Sequence, residues 1–278
     1  MHKRHGIFEL KWEPNPSAAA PWLALALTDG TLALLQLGED NEAVRKGSVD
    51  VDSAALSTCV AFQPPAATPD KVLGVSTSNG FLATIKVDGS RAVVLEKWLA
   101  HDLEIWACAF DCWQENLLFS GADDAFLKAW DIRAPTRAPV FQNRKEHGAG
   151  VCCIQPSKQN EYVLCTGSYD EFIRLWDTRN PSRPLITAKA GTGGGVWRVN
   201  WHPCDGSLLL AACMHNGCAV FRADVAAGSL QAVARYEGHS SIAYGADWFS
   251  GTDAKDQHIV ASCSFYDNLV HVWSCQLP

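Results

Sequence analysis

His215 is the side chain in this sequence that most strongly indicates a chemical role. It stands at a position that holds Asp or Asn in five other copies of an internal repeat. In the same copy Thr192 replaces a repeated histidine and opens a glycine run, Gly193, Gly194 and Gly195. Glycines allow backbone N–H groups to point at a ligand or an oxyanion. The pattern predicts a chemical site, and the alternative is a degenerate repeat with an ordinary surface histidine.

Aromatic residues recur at repeat positions that are expected to surround the same mouth. Flat rings can hold a cation, because a quaternary ammonium gains about 0.5–2 kcal/mol from each well-placed ring face. The acidic residues Glu104, Glu171 and Asp247 would favour such a ligand, although rings and acids alike can simply form a packed, solvated rim. The aromatic positions are Trp106, Tyr169, Trp197, Tyr244 and Tyr266.

Catalytic motifs of high specificity do not occur in the sequence. It contains no Gly-x-Ser-x-Gly, no His-Glu-x-x-His and no Cys-x-x-Cys. Cys213 with His215, and His202 with Cys204, have the atoms of metal ligands. However, Trp201-His202-Pro203 is an ordinary strand end in repeats of this kind, so we expect neither a metal nor a cofactor.

The elements that position these residues follow from the repeat itself. Six short polar residues, spaced 45–52 positions apart, each precede a bulky apolar residue by six positions. A period of about this length ending in Trp-Asp, with strand-like runs between Gly, Asp and Asn, is typical of a β-propeller blade. We predict an all-β WD-repeat propeller with six visible blades in a single domain, residues 1–278. The polar residues are Asp29, Asn79, Asp124, Asp170, His215 and Asp267, and the apolar ones are Leu35, Ile85, Trp130, Trp176, Phe221 and Trp273.

Three other histidines follow the same register. His101 and His147 each precede the aspartate of their repeat by 23 residues, and His239 precedes its own by 28. With Ser120 or Thr166 they resemble the Asp–His–Ser/Thr–Trp relay of WD-repeat blades. Because buried polar groups must be paired, we expect these histidines to be structural.

The two ends of the chain bear on how the ring closes. A propeller usually takes the outer strand of its last blade from the N-terminus, which removes an open edge. Here only about six residues precede the predicted first strand, Ile7–Trp12, and the chain stops at Pro278 after the last inner strand. Either an N-terminal seventh blade or closing strand is missing, or the ring is held open.

Composition excludes several classes of function. The net charge of −7, without a Lys/Arg cluster, disfavours nucleic-acid binding. The sequence contains no run of eighteen uncharged apolar residues, so no membrane span is predicted. The N-terminus lacks the apolar part of a signal peptide. The 11 cysteines lie mostly in apolar runs, where free thiols pack as small hydrophobes. We therefore expect a cytoplasmic protein.

A series of motifs from His101 onward supports a closer assignment. The motifs are Gly167–Glu171, Leu175–Asn180, Gly194–Arg198, Trp201–Pro203, Cys213–His215, Tyr244–Trp248 and Cys263–Asp267. In order and spacing they resemble the diphthine methyl ester hydrolase family, the WD-repeat proteins of diphthamide biosynthesis. The resemblance covers nearly the whole chain and is weak before Val93.

The resemblance implies a carboxyl methylesterase that acts on a modified histidine of translation elongation factor 2. That substrate carries a trimethylammonium group and a methyl ester, and a later enzyme amidates the free acid. We expect His215 to be the base, with oxyanion donors from the glycine run. The nucleophile is Ser168, Cys152 or a water activated by His215. The rings expected to bind the trimethylammonium group are those of Trp106, Tyr169, Trp197 and Tyr244.

Two non-catalytic functions remain open on the sequence. Most WD-repeat propellers are scaffolds for other proteins, and the fold alone does not distinguish them from an enzyme. A reader of trimethylated lysine would use the same aromatic rim. Methanol release from the esterified elongation factor distinguishes both from a hydrolase.

Overall fold

The computed structural model describes residues 5–14, 20–38, 40, 42–64, 71–134, 138–189, 194–252 and 257–277. Within them, antiparallel strands form six sheets, which we number blade 1 to blade 6 in chain order. The all-β propeller class is thus confirmed. The chain divides into two compact units, Met1–Gln142 and Asn143–Pro278, and the prediction of a single domain stays a prediction.

The first unit contains blades 1 to 3, each a four-stranded meander. Leu32 and Leu34 of blade 1 pack with Val60 and Leu73 of blade 2 in one buried cluster. The strands are β1 Ile7–Trp12, β2 Trp22–Leu27, β3 Thr31–Leu37, β4 Ala43–Asp50, β5 Ser57–Phe62, β6 Lys71–Thr77, β7 Phe81–Asp88, β8 Arg91–Leu99, β9 Ile105–Phe110, β10 Leu117–Ala122, β11 Leu127–Asp131 and β12 Phe141–Asn143.

The second unit contains blades 4 to 6. Blades 4 and 5 have four strands each, and blade 6 has three among the residues that the structure describes. The strands are β13 Val151–Pro156, β14 Val163–Ser168, β15 Phe172–Asp177, β16 Ile186–Lys189, β17 Arg198–Trp201, β18 Leu208–Ala212, β19 Cys218–Asp224, β20 Ser229–Tyr236, β21 Ala243–Thr252, β22 His258–Ser264 and β23 Leu269–Cys275.

The central strand of blade 5, β18, is apolar on both faces because blades 4 and 6 pack on its two sides. All five residues of β18 are buried. Leu209 and Ala211 pack into the cluster shared with blade 4, whereas Leu208 and Leu210 pack into the cluster shared with blade 6. Successive side chains of a strand point to opposite faces, so this short run contributes to two cores.

No helix long and apolar enough to cross a bilayer occurs in the described part of the chain.

The aspartates that lead the repeats of blades 3, 4 and 6 have a local structural role. Oδ1 of Asp124 accepts a hydrogen bond from the amide of Phe126 at 3.0 Å, which closes the turn between β10 and β11. Asp170 and Asp267 close the equivalent turns of blades 4 and 6 in the same way. Short carboxylate side chains favour such turns because they bond the backbone two residues on. The repeat of aspartates is therefore primarily a repeat of turns.

The predicted histidine relays are complete in blades 3 and 6. In blade 3, His101 Nδ1 lies 2.9 Å from Asp124 Oδ2, and its Nε2 lies 2.8 Å from Ser120 Oγ. The Trp130 Nε1–H donates to the same Ser120 oxygen at 2.8 Å. His239 in blade 6 makes the same bonds to Asp267, Ser262 and, through that serine, Trp273.

The relay predicted for blade 4 is wrong at its aspartate. His147 Nε2 does bond Thr166 Oγ1 at 3.0 Å, but Asp170 binds both guanidinium nitrogens of Arg174 at 3.0 and 2.7 Å. His147 Nδ1 is buried and has no hydrogen-bond partner among the described residues. Burial, and then the charge of Arg174, lowers the pKa of His147 to about 3, so the ring is neutral.

Candidate active site

His215 lies on the tight turn that joins β18 to β19 in blade 5. The Asn216 amide donates to the Cys213 carbonyl at 2.9 Å, and two residues of the turn, Met214 and Gly217, have φ of +48° and +66°. The imidazole is exposed, and no hydrogen bond to it occurs within the described segments. His215 is therefore presented by a fixed backbone and is free to meet a ligand.

Gly194 and Gly195 pack directly against this turn. A methyl group on Gly194 would lie 2.7 Å from the Cys213 oxygen and 2.9 Å from the His215 nitrogen. These contacts are shorter than any side chain tolerates, so the position requires glycine. Gly194 and Gly195 of the predicted glycine run thus lie beside the His215 turn. Gly193 and Thr192, which were part of that prediction, lie outside the described residues.

Gly195 connects the His215 turn to the turn of blade 4. A methyl group here would lie 2.8 Å from Tyr169 Cα and 3.3 Å from Met214 Sδ. The next two amides are committed to the fold, since Val196 donates to the Ser168 carbonyl and Trp197 to a carbonyl of β18. The amides of Gly194 and Gly195 make no hydrogen bond in the part of the chain that the structure describes, so they are available as donors.

Ser168 and Cys152, the predicted nucleophiles, are both buried. The Ser168 hydroxyl donates to the Ala149 carbonyl at 3.1 Å and accepts the Asp170 amide at 3.2 Å, so it caps its turn. The Cys152 thiol lies within β13, 3.5 Å from the carbonyl of Gly150. No hydrogen bond joins either side chain to His215 among the described contacts. These contacts favour the third alternative, water.

Cys213, which precedes His215 by two residues, is also unsuited to nucleophilic attack. Its side chain is fully buried in the core between blades 4 and 5. Burial, and to a smaller extent Cys218, raises the pKa of Cys213 to about 12. A thiol reacts as its thiolate, so this side chain is inert at neutral pH.

Four of the predicted aromatic residues form a continuous row across blades 4, 5 and 6. The ring centroids of Tyr169 and Trp197 are 5.7 Å apart, and those of Trp197 and Tyr244 are 5.4 Å apart. Tyr266 follows, 6.2 Å from Tyr244. Burial, and then the Tyr266 hydroxyl, raises the pKa of Tyr244, which keeps that phenol neutral. We call these four rings the aromatic row.

Trp106, the remaining predicted substrate-binding ring, belongs to the first unit. Its ring stacks on Phe8 at 5.9 Å, and its Nε1–H donates to Asp123 Oδ1 at 2.7 Å. These contacts give Trp106 a packing role within blades 1 and 3. Its part in substrate binding stays a prediction.

The histidine relays share the connectivity of a catalytic triad but not its accessibility. Ser120 and Ser262 are buried, and each hydroxyl also accepts an indole N–H. A nucleophilic serine must instead reach the substrate carbonyl. We therefore assign these sets to blade stability. No cluster of three or more His, Cys, Asp or Glu side chains suitable for a metal ion is found within the residues that are described.

Two residues near the site were not identified from the sequence. The side-chain nitrogen of Asn216, Nδ2, is buried without a hydrogen-bond partner among the described groups. It would lie 3.3 Å from a methyl group on Gly194. Phe265, beside Tyr266, is 73% exposed. The Asn216-Gly217 pair signals a turn, but neither residue type indicates its own environment before the fold is known.

The repeats and the polar turns define the class of protein. The sequence profile of the WD40 family (WD domain, G-beta repeat) matches residues 140–177, which include β13, β14 and β15 of blade 4. A chain in the crystal structure of the mitotic checkpoint complex superposes with a TM-score of 0.77 at 17% identity, covering 99% of this chain and 76% of that one. The protein is a WD-repeat β-propeller.

Curated relatives give the family more narrowly. The chain is 38% identical to diphthine methyltransferase of Mus musculus over 87% of its own length and 53% of the relative. It is 32% identical to the Dictyostelium discoideum homolog and 33% identical to the Schizosaccharomyces pombe protein, covering 76% and 78% of these relatives. The chain spans about half the length of the mammalian proteins. It belongs to the diphthine methyltransferase family.

Proposed function

We propose that this protein hydrolyses the methyl ester of the methylated diphthine intermediate on elongation factor 2, a step of diphthamide biosynthesis. The observation that carries the proposal is the position of His215, a free histidine on a rigid turn against the Gly194–Gly195 backbone. The family relationship supports a role in diphthine chemistry, since its members are named for a methyl group on diphthine. The ester-cleaving direction is what the resemblance of the motifs implies, and a histidine beside two backbone amides is consistent with it.

Three rings of the aromatic row, Tyr169, Trp197 and Tyr244, support recognition of the trimethylammonium group. Gly195 packs between Tyr169 and Met214, the residue before His215, so the row begins near the His215 turn. Neutral phenol and indole rings attract a quaternary ammonium through their faces without a formal charge. Tyr169 is 36% exposed, which leaves part of its ring accessible. A cation held there would place its ester group near the His215 turn.

The chemistry requires a base and donors for the developing negative charge. In our proposal water attacks the ester carbonyl while the His215 imidazole takes its proton. The amides of Gly194 and Gly195 donate to the tetrahedral oxyanion. Collapse breaks the acyl–oxygen bond, and the imidazolium returns its proton to the departing methoxide. The products are the free acid and one methanol, and no cofactor is consumed.

Isotope labelling tests whether the methyl group leaves by hydrolysis of the ester or by transfer to an acceptor. Methyl-esterified elongation factor 2 is incubated with the protein in ¹⁸O-enriched water, and the modified residue and the released methanol are analysed by mass spectrometry. Hydrolysis at the acyl carbon predicts one ¹⁸O in the carboxylate and unlabelled methanol. Methyl transfer from the ester to an acceptor would leave the carboxylate unlabelled and release no methanol. That second result would overturn the proposal.

A further inference from the structure

The turn between β22 and β23 exposes two adjacent aromatic side chains. Phe265 is 73% exposed and Tyr266 is 60% exposed. Large aromatic residues at such exposure are uncommon on a protein surface and are typical of the anchors of protein interfaces. Their environment therefore requires an explanation.

The two rings are held in a fixed geometry. Phe265 and Tyr266 meet edge to face with centroids 5.2 Å apart. Asp267, the next residue, accepts hydrogen bonds from the amides of Leu269 and Ser240 and from His239. Preorganised side chains lose little entropy on binding, which favours an interface anchor over a mobile loop tip.

The repeat shows how such a turn can receive another aromatic ring. Tyr169 occupies the position of Tyr266 in blade 4, directly before the aspartate of the turn. There the tyrosine ring packs against Trp197 of the following blade. Tyr266 holds the equivalent position in its repeat but keeps more of its surface exposed. It can take an apolar side chain from outside as Tyr169 takes Trp197.

The exposed pair is continuous with the candidate active site. Tyr266 contacts Tyr244, and the row continues through Trp197 to Tyr169 beside Gly195. A protein whose modified side chain reached His215 would therefore lie over this row. We propose that Phe265 and Tyr266 form the docking point for an apolar or aromatic side chain on the folded protein that carries the ester. This inference rests on the proposed function.

The charge of the chain is consistent with that partner. The net charge is −7, and Asp247, on the same blade, is exposed. Acidic surroundings favour a partner surface that flanks its apolar contact with basic residues. Docking of this kind would supply affinity that a short peptide carrying the same ester cannot use.

The experiment compares a folded substrate with a short one. Cleavage of methyl-esterified elongation factor 2 and of a short peptide with the same modified residue is measured for the wild type, Phe265→Ala and Tyr266→Ala. We expect each change to raise KM at least about tenfold more for the folded protein than for the peptide. Phe249→Ala, a 55% exposed aromatic of β21, is the matched control and should not discriminate between the substrates.

Binding separates this inference from the proposed function. The dissociation constant of esterified elongation factor 2 is measured with His215→Ala protein, with and without the Phe265→Ala change. A rise of about tenfold or more on adding Phe265→Ala supports docking even if no ester is cleaved. An unchanged dissociation constant, or equal losses on both substrates, would overturn the docking proposal. Absence of cleavage by the wild type alone would overturn only the proposed function.

Discussion

Among the described residues, the histidines separate into those used by the fold and one, His215, whose ring makes no hydrogen bond there. His101 and His239 complete buried relays, and His147 is held by Thr166. His215 has an exposed ring on a turn that close glycine contacts fix in place. A general base needs access to a proton and a fixed position, and only the last of these histidines combines both in the described structure.

Gly194 provides the sharpest test of the site's geometry. Gly194→Ala would force its methyl group against Cys213 and His215, at 2.7 and 2.9 Å, and displace the turn. We expect kcat for ester cleavage to fall about 100-fold, because displacements of about 1 Å have that effect on positioned groups. Gly148→Ala is the control, since a methyl group there meets only Asp170 at 3.5 Å. Equal activity of the two variants would contradict the assignment.

His147 predicts part of the acid sensitivity of folding. Its pKa of about 3 in the folded state lies below the ordinary value of 6.5. The unfolded chain therefore binds this proton first as the pH falls, and stability is lost between pH 6.5 and 3 at about 1.4 kcal/mol per pH unit. Urea unfolding of the wild type and His147→Gln should give free energies that converge from pH 6 to pH 4. A constant difference would show that the pKa of His147 is the same in the folded and the unfolded chain, which contradicts this account.

At the level of elements, the polar turns of blades 3, 4 and 6 each contain an aspartate, and the side chain that pairs with this aspartate differs between blades. Blade 3 and blade 6 use a histidine relay, whereas blade 4 uses the Asp170–Arg174 ion pair. Burial opposes ionisation of Asp170, but Arg174 and two backbone amides outweigh it and lower the pKa of this carboxyl. The ion pair therefore stays charged at neutral pH and holds the turn.

The ion pair of blade 4 can be compared with an exposed pair in the same blade. The Arg174 side chain is 6% exposed, so Asp170→Ala leaves a buried cation and should cost about 3–5 kcal/mol of unfolding free energy. Asp177→Ala removes the partner of Arg179, a side chain that is 65% exposed, and should lower the unfolding free energy far less than Asp170→Ala does. Adding Arg174→Met to Asp170→Ala should recover part of the loss. Equal losses for the two aspartates, measured by urea unfolding, would contradict this account.

Individual elements show what the sequence could predict. The predicted first strand, Ile7–Trp12, coincides with β1, because apolar runs bounded by turn residues define strands locally. The His147–Asp170 relay was mispredicted because Arg174, four residues further on, competes for the same carboxylate. Such competition between partners depends on side-chain positions that spacing alone does not contain.

At the level of the whole molecule, the chain is a series of related blades, and blade 5 is the one to which we assign a chemical role in our proposal. Blade 5 lacks the aspartate, the histidine and the tryptophan of the relay, and Phe221 packs in the core instead. Gly194 packs against the turn that carries His215, and Gly195 lies between that turn and Tyr169 of the aromatic row. The repeat made the departure visible in the sequence, whereas the burial of Ser168 and Cys152 became visible only in the structure.

The most direct test of the central claim is methanol release from methyl-esterified elongation factor 2. We expect the wild type to release one methanol per substrate and His215→Ala to react at least about 100-fold more slowly. His5→Ala, which changes an exposed histidine paired with Asp29 in the first unit, should match the wild type. No methanol from the wild type, or equal release by His215→Ala, would contradict the assignment of an esterase site to blade 5.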